Sequence, residues 1–259
     1  MDLTKNGTIK GMPLPYTAYC DQMITKKRLA IAALRDNPVW QITRDLTEKV
    51  DASGQYKHFY GDTTVFPMEE PVIRYAEQAQ SYLRSCVPHL LADPLSPDTF
   101  HITVHDLNNP FNQNDEYQLA LNVRETREKM AGLFQDIADY LYRNPGYRTV
   151  KLYTLGLVLG GTTGLSIDFL PASAADYFVL MNLHQLFDRF LYLPNPLRIH
   201  LSLNYFYPKT FSVSEIAEVL SCVTEYEIRF DVTLDIGKLT YQVFEDMNTY
   251  HSLFSVGDF

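Results

Sequence analysis

The chain predicts an α+β fold built on a repeated order of elements, and three observations carry that expectation. Two segments alternate polar and apolar residues with the period of a β-strand: Thr99-Phe100-His101-Ile102-Thr103-Val104-His105-Asp106 and, 99 residues later, Arg198-Ile199-His200-Leu201-Ser202-Leu203-Asn204. Each follows an extended segment, a helix and a proline-bearing loop, in that order in both halves of the chain. Around them run stretches whose apolar residues fall at helical spacing.

In chain order, residues 1–52 predict a helical extension, a packing arm or lid: Met23, Ala30, Ile31 and Leu34 fall near one helix face, and Asn37-Pro38 stops the run. The main domain is expected over 53–259. It opens extended, through His58-Phe59-Tyr60, a Gly61-Asp62 turn and Thr63-Thr64-Val65-Phe66, and ends that segment at Pro67. A helix is expected over 71–86, with proline in its first turn, where the missing N–H leaves no hydrogen bond unmade. Pro88, Pro94 and Pro97 lead into the first histidine strand.

Past a polar loop at 108–115, residues 116–143 predict the longest helix. Leu119, Val123, Met130, Phe134, Ile137 and Leu141 form its apolar stripe, and Asn144-Pro145-Gly146 ends it. Strands over 149–159 and 165–170 flank Gly160-Gly161-Thr162-Thr163-Gly164. That cluster reads as a turn, because no Lys-Ser/Thr follows it and no helix opens on it, as a phosphate-cradling loop requires. A helix over 173–190 opens on capping-box spacing, Ser173 with Asp176, and Pro194-Asn195-Pro196 leads into the second histidine strand. The tail adds a helix over 212–224, capped by Ser212 and Glu215, and strands over 227–234 and 238–244.

Composition narrows the partners. A formal net charge of −9 repels a long nucleic-acid backbone unless basic residues cluster, so a small nucleotide or a strand end is the expected anionic ligand, with no long duplex. Cys20, Cys86 and Cys222 are far apart and form no Cys-x-x-Cys pair, which reads as reduced thiols in a cytoplasmic protein. The first twenty residues hold no apolar signal segment, and no run approaches membrane-spanning length.

On the histidine strands, Phe100, Ile102 and Val104, and likewise Ile199, Leu201 and Leu203, are expected to face a core. The other faces present Thr99, His101, Thr103 and His105, and Arg198, His200, Ser202 and Asn204. A histidine two residues before a hydroxyl sets an imidazole and an O–H on one side, with Cα atoms roughly 7 Å apart. Both then reach one small anion. His58, His89, His184 and His251 lack this repeated context and read as structural. His101 and His105 look like paired zinc ligands, but positions i and i+4 of a strand lie roughly 13 Å apart, so no metal site and no cofactor are expected. Ser202 lacks the Gly-x-Ser-x-Gly elbow of a hydrolase nucleophile.

His101-Ile-Thr103-Val and His200-Leu-Ser202-Leu resemble the paired His-x-Thr/Ser-x motifs of the two-histidine (2H) phosphoesterase superfamily, which includes LigT-like RNA 2′,5′ ligases and cyclic phosphodiesterases. The resemblance covers about residues 55–245, and the stretch from His101 to Leu107 with the helix after it is similar to a larger bacterial subgroup. It implies a bilobal LigT-like fold, two antiparallel sheets related by a pseudo-two-fold duplication and facing a central cleft. It also implies catalytic roles for His101, His200, Thr103 and Ser202, and a substrate with a cyclic 2′,3′ phosphate or a 2′,5′ linkage, such as a small nucleotide or RNA end.

Two imidazoles have pKa values suited to deprotonating a water and protonating a leaving oxygen, and two hydroxyls would hold the non-bridging oxygens. Arg198 could contact phosphate or pair with an acid at the cleft edge. His105 and Asn204 could touch substrate or serve as supporting hydrogen-bonding groups, and Tyr60 and Tyr205 could stack a base or be structural. A nucleotide- or phosphate-binding module that turns nothing over is the rival reading.

Overall fold

The inner strands of the molecule are the two histidine strands, lying side by side. In the computed structural model, which describes residues 14–113, 115–194 and 197–259, the strands are β1 (Gly61–Pro67), β2 (His101–Asp106), β3 (Thr149–Gly160), β4 (Gly164–Pro171), β5 (His200–Tyr205), β6 (Asp231–Asp235), β7 (Thr240–Asp246) and β8 (Thr249–Ser255). They form one sheet in the order β6-β3-β4-β5-β2-β1-β7-β8, antiparallel at every pairing. Where the resemblance implies two separate sheets, the ladder is continuous. The halves meet at β2 and β5 through the register pair Ile102 with Leu201, which spares each half an unpaired inner edge. Read outward from that seam, each side runs histidine strand, then the strand that precedes it across a helix, then two more.

Among the described residues, six helices accompany the sheet: α1 (Tyr16–Asp36), α2 (Arg44–Lys49), α3 (Val72–Cys86), α4 (Glu116–Arg143), α5 (Ala174–Phe187) and α6 (Val213–Glu225). The expected caps form. Ser173 accepts from the Asp176 N–H, and Ser212 with Glu215 makes a full capping box. Helix α4 buries the expected stripe. The proline loop before β5 falls partly, at Asn195 and Pro196, outside the described residues, as do residues 1–13 of the extension.

Three elements differ from expectation. Helix α1 begins at Tyr16, earlier than its aliphatic stripe indicates, because Tyr19 supplies part of the buried face; it is fully buried and donates its hydroxyl to the Leu197 carbonyl at 3.0 Å. Helix α2 is too short for a periodic signal and is fixed by Thr43, whose side chain accepts from the Leu46 N–H. Strand β8 lies at a sheet edge with most residues half-buried or exposed, so it lacks an apolar alternation.

The extension joins the main core. Tyr19, Met23, Trp40, Leu46 and Val50 pack in the same apolar cluster as the sheet residues, and Trp40 stacks on Phe211 with ring centroids 4.2 Å apart. Removing a buried aromatic of this kind costs about 3–5 kcal/mol, so the extension is held by more than its tether.

Gly164 sits where β4 approaches the second histidine strand. A Cβ there would lie 2.4 Å from the Asn204 carbonyl oxygen, which is backbone and has no rotamer to escape into. Gly164→Ala is expected to destabilise the protein by about 1–3 kcal/mol through forced displacement of the β4–β5 ladder, read as a lowered denaturant midpoint with an unchanged slope.

Candidate active site

The register at the seam arranges the four motif residues. With Ile102 opposite Leu201, the adjacent positions set His101 across from Ser202 and Thr103 across from His200. Directly opposed Cα atoms of an antiparallel pair are about 4.5–5.5 Å apart and diagonal neighbours about 7–8 Å. The histidines therefore occupy one diagonal of a small quadrilateral and the hydroxyls the other. All four line a cavity of about 190 Å³. A second cavity, of about 130 Å³, adjoins it through His200, Ser202 and Tyr205.

Each histidine is oriented by the backbone leading into its own strand. His101 Nδ1–H donates to the Thr99 carbonyl at 2.7 Å, and His200 Nδ1–H donates to the Arg198 carbonyl at 3.1 Å. A carbonyl only accepts, so Nδ1 carries the proton in both rings and Nε2 keeps its lone pair for chemistry. Burial pushes the His101 pKa down to about 4, and the neighbouring His200 adds to this, against the Thr99 carbonyl, which favours the charged form. His200 is lowered too, by burial first and then by the Arg198 guanidinium. Both imidazoles are thus neutral near pH 7.

Beyond the hydroxyl, both strands depart from simple alternation. Along β1, Val65 pairs with Thr103 and Thr64 with His105, leaving Val104 as an extra residue. Along β4, Ser166 pairs with Ser202 and Leu165 with Asn204, leaving Leu203 extra at the equivalent place. These are β-bulges, and they turn the next side chain to the other face. His105, expected on the working face, is buried beneath the sheet, with Nε2–H donating to Asp188 Oδ1 at 3.1 Å. Asn204 is likewise buried and borders only the smaller cavity. Asp106 and Tyr205 take their places on the cleft side and line the larger cavity.

The carbonyls freed by the bulges are claimed by helices. His184 of α5 donates Nδ1–H to Val104 at 2.9 Å, and Gln80 of α3 donates Nε2–H to Leu203 at 2.9 Å while its other N–H reaches Leu95, also at 2.9 Å. His184 is thus tied by Nδ1 to the backbone of the first histidine strand. His105, His184 and Asp188 bring one ligand-type atom each within 4.8 Å of the others, a group beneath the sheet and outside the cleft lining.

Arg198 borders the smaller cavity but is committed. It forms a two-pronged pair with Asp168, at 2.7 and 2.6 Å, and donates to Ser166 Oγ at 2.6 Å. Asp168 is buried while the Arg198 side chain is 34% exposed, so the pairing that the sequence allows is made at the edge of the cleft. Tyr60 lines neither cavity; it precedes β1, beside His58.

Sequence reasoning missed Asp106, Asp45 and Lys49. Asp106 is close enough for its charge to favour the protonated form of both histidines, though burial outweighs it. Asp45 and Lys49 come from α2, which lies over the cleft so that both residues line both cavities. They pair at 2.8 Å across one helical turn, with the Asp45 side chain 43% exposed; such a pair is worth about 0.3–0.5 kcal/mol. A helix of six residues gives no periodic signal that could have pointed to them.

No family model and no curated protein matches the chain. Among solved structures it is similar to the conserved protein of unknown function ATU0111 from Agrobacterium tumefaciens strain C58, at 16% identity and a TM-score of 0.55, covering 83% of this chain and 94% of that one. It is also similar to TT0787 of Thermus thermophilus, at 14% identity and a TM-score of 0.46, over 75% of this chain and 97% of that one. At these identities the first likeness speaks to the fold alone.

Proton–carbon NMR of the histidine Cε1 groups in the full chain is expected to show His101 titrating at about pH 4. A midpoint at the ordinary value near 6.5 would mean that water reaches the ring and that burial does not set its charge.

Proposed function

We propose that this chain is a metal-independent phosphodiesterase of the 2H phosphoesterase kind, with a LigT-like duplicated fold, acting on a small cyclic 2′,3′ phosphate or 2′,5′ phosphodiester of a nucleotide or RNA end. The observation that carries this is the matched pair of imidazoles, each tethered through Nδ1 to the carbonyl two residues upstream and each lining one cavity with a hydroxyl across the ladder. In-line displacement at phosphorus needs its proton acceptor and proton donor on opposite sides of the phosphate, and a diagonal pair of rings suits that need. One neutral Nε2 takes a proton as water forms the new P–O bond; the other ring, protonated, gives its Nε2 proton to the departing ribose oxygen as the old P–O bond breaks. Thr103 and Ser202 donate to the non-bridging oxygens.

The depressed pKa values favour a second reading, a phosphate-binding module, because at neutral pH neither imidazole is protonated to serve as the acid. The hydrolase reading answers that the substrate's own negative charge raises the pKa of the ring it contacts. No described helix is long and apolar enough to cross a membrane. The three described thiols are unbridged, which supports placing the protein in the cytoplasm.

Turnover of nucleoside 2′,3′-cyclic phosphates and 2′,5′-linked dinucleotides, with chelator present, tests the proposal. His101→Ala and His200→Ala are each expected to lower the rate by about 10² to 10⁴, and Thr103→Val and Ser202→Ala by up to about a hundredfold. Because the active form carries one proton on the pair and both pKa values are lowered, kcat/KM is expected to peak on the acid side of pH 6.5 and fall toward neutrality, with limbs that belong to the pair. Absence of turnover across the panel, with retained phosphate binding, would leave the binding module.

A further inference from the structure

We propose that Lys49 is an anion anchor that the N-terminal extension supplies to the cleft: its ammonium leaves Asp45 and takes a phosphate oxygen of the bound ligand. This deepens the phosphoester reading of the cleft and rests on it. A cleft for a phosphate needs positive charge, and the charged residues lining the two cavities are Asp45, Asp106, Lys49 and Arg198. Arg198 is held by Asp168 and Ser166 and has no reason to leave a buried, two-pronged partner. Lys49 has as its ion-pair partner Asp45, a neighbour one helical turn away whose carboxylate is open to water. Of these two cations, Lys49 is the one able to exchange.

Its position is prepared. The Nζ atom lies 5.3 Å from the ring centre of Phe59 and 5.6 Å from those of Phe111 and Tyr205, so three aromatic faces hold the ammonium at the cavity wall. An ammonium already confined this way loses little further freedom when it meets an anion. The backbone is fixed as well. The Lys57 N–H donates to the Lys49 carbonyl at 2.9 Å, and Thr43 at the start of α2 shares a hydroxyl hydrogen bond of 3.1 Å with Thr163 in the β3–β4 turn. The extension therefore reaches across the second half of the sheet and delivers its last helical residue to a cavity wall shared with His200 and Ser202.

The test is calorimetric titration of the full chain with inorganic phosphate, which reads the anchor without any turnover. The wild type is expected to bind, Lys49→Met to bind roughly tenfold more weakly, Lys49→Arg to retain most of the affinity, and Asp45→Asn to bind more tightly because the competing carboxylate is gone. Thermal melts verify that each variant is folded, and the Asp45→Asn arm keeps the test decisive if Lys49→Met does not fold. Equal affinity in Lys49→Met and wild type, weaker binding in Asp45→Asn, or no binding by the wild type would overturn the anchor. Cyclic-phosphate turnover separates the two claims. A raised KM in Lys49→Met with kcat nearly unchanged supports both, phosphate binding lost in Lys49→Met without any wild-type turnover keeps the anchor and removes the hydrolase, and turnover that needs His101 but ignores Lys49 does the reverse.

Discussion

In each histidine strand the ladder skips one residue, Val104 in β2 and Leu203 in β5, and the composition of the cleft depends on that skip. Without the bulges, strict alternation would send His105 and Asn204 into the cleft and carry Asp106 and Tyr205 away from it. A bulge frees a backbone carbonyl, and leaving a buried one unpaired costs about 1–3 kcal/mol. The molecule meets that cost reciprocally. Helix α3, which leads into the first histidine strand, satisfies the bulge of the second through Gln80, and α5, which leads into the second, satisfies the bulge of the first through His184. The halves are thus locked by exchanged helices as well as by the short seam between β2 and β5.

Charge in the cleft follows from burial. Desolvation lowers both histidines more than Asp106 raises them, and at His200 the Arg198 guanidinium lowers the pKa further than its partner Asp168 raises it. The resting site is therefore a neutral pair of bases with hydroxyls between them, plus one lysine that the extension brings in. Such a site is poised to respond to an anion, whose arrival raises the affinity of an imidazole for a proton and gives the lysine a partner better than an exposed carboxylate.

Much of this was legible in the sequence. The 99-residue spacing of the two His-x-Thr/Ser patterns located both inner strands, and His101, Thr103, His200 and Ser202 do converge on one cavity. The helix starts at Ser173 and Ser212 were visible because a cap is a local hydrogen bond between residues three apart. What could not be read was anything decided by pairing. Whether Val104 is inside the ladder or bulged out of it depends on β1, far off in sequence, so His105 was placed on the wrong face and Asp106 was overlooked. Arg198 was ambiguous until β4 set Asp168 opposite His200. The role of α2 depends on where a six-residue helix docks, and no period in six residues carries that information.

If His101 and His200 act as one proton-transfer unit on a single phosphate, a double-mutant cycle on cyclic-phosphate turnover reads their coupling. Residues that act as a unit are strongly non-additive. The His101→Ala, His200→Ala double variant is expected to be no more than about threefold slower than the slower single variant, since losing either ring already stops concerted transfer. Losses that multiply, with the double variant slower by the product of the two single effects, would contradict it and mean that the two rings act independently.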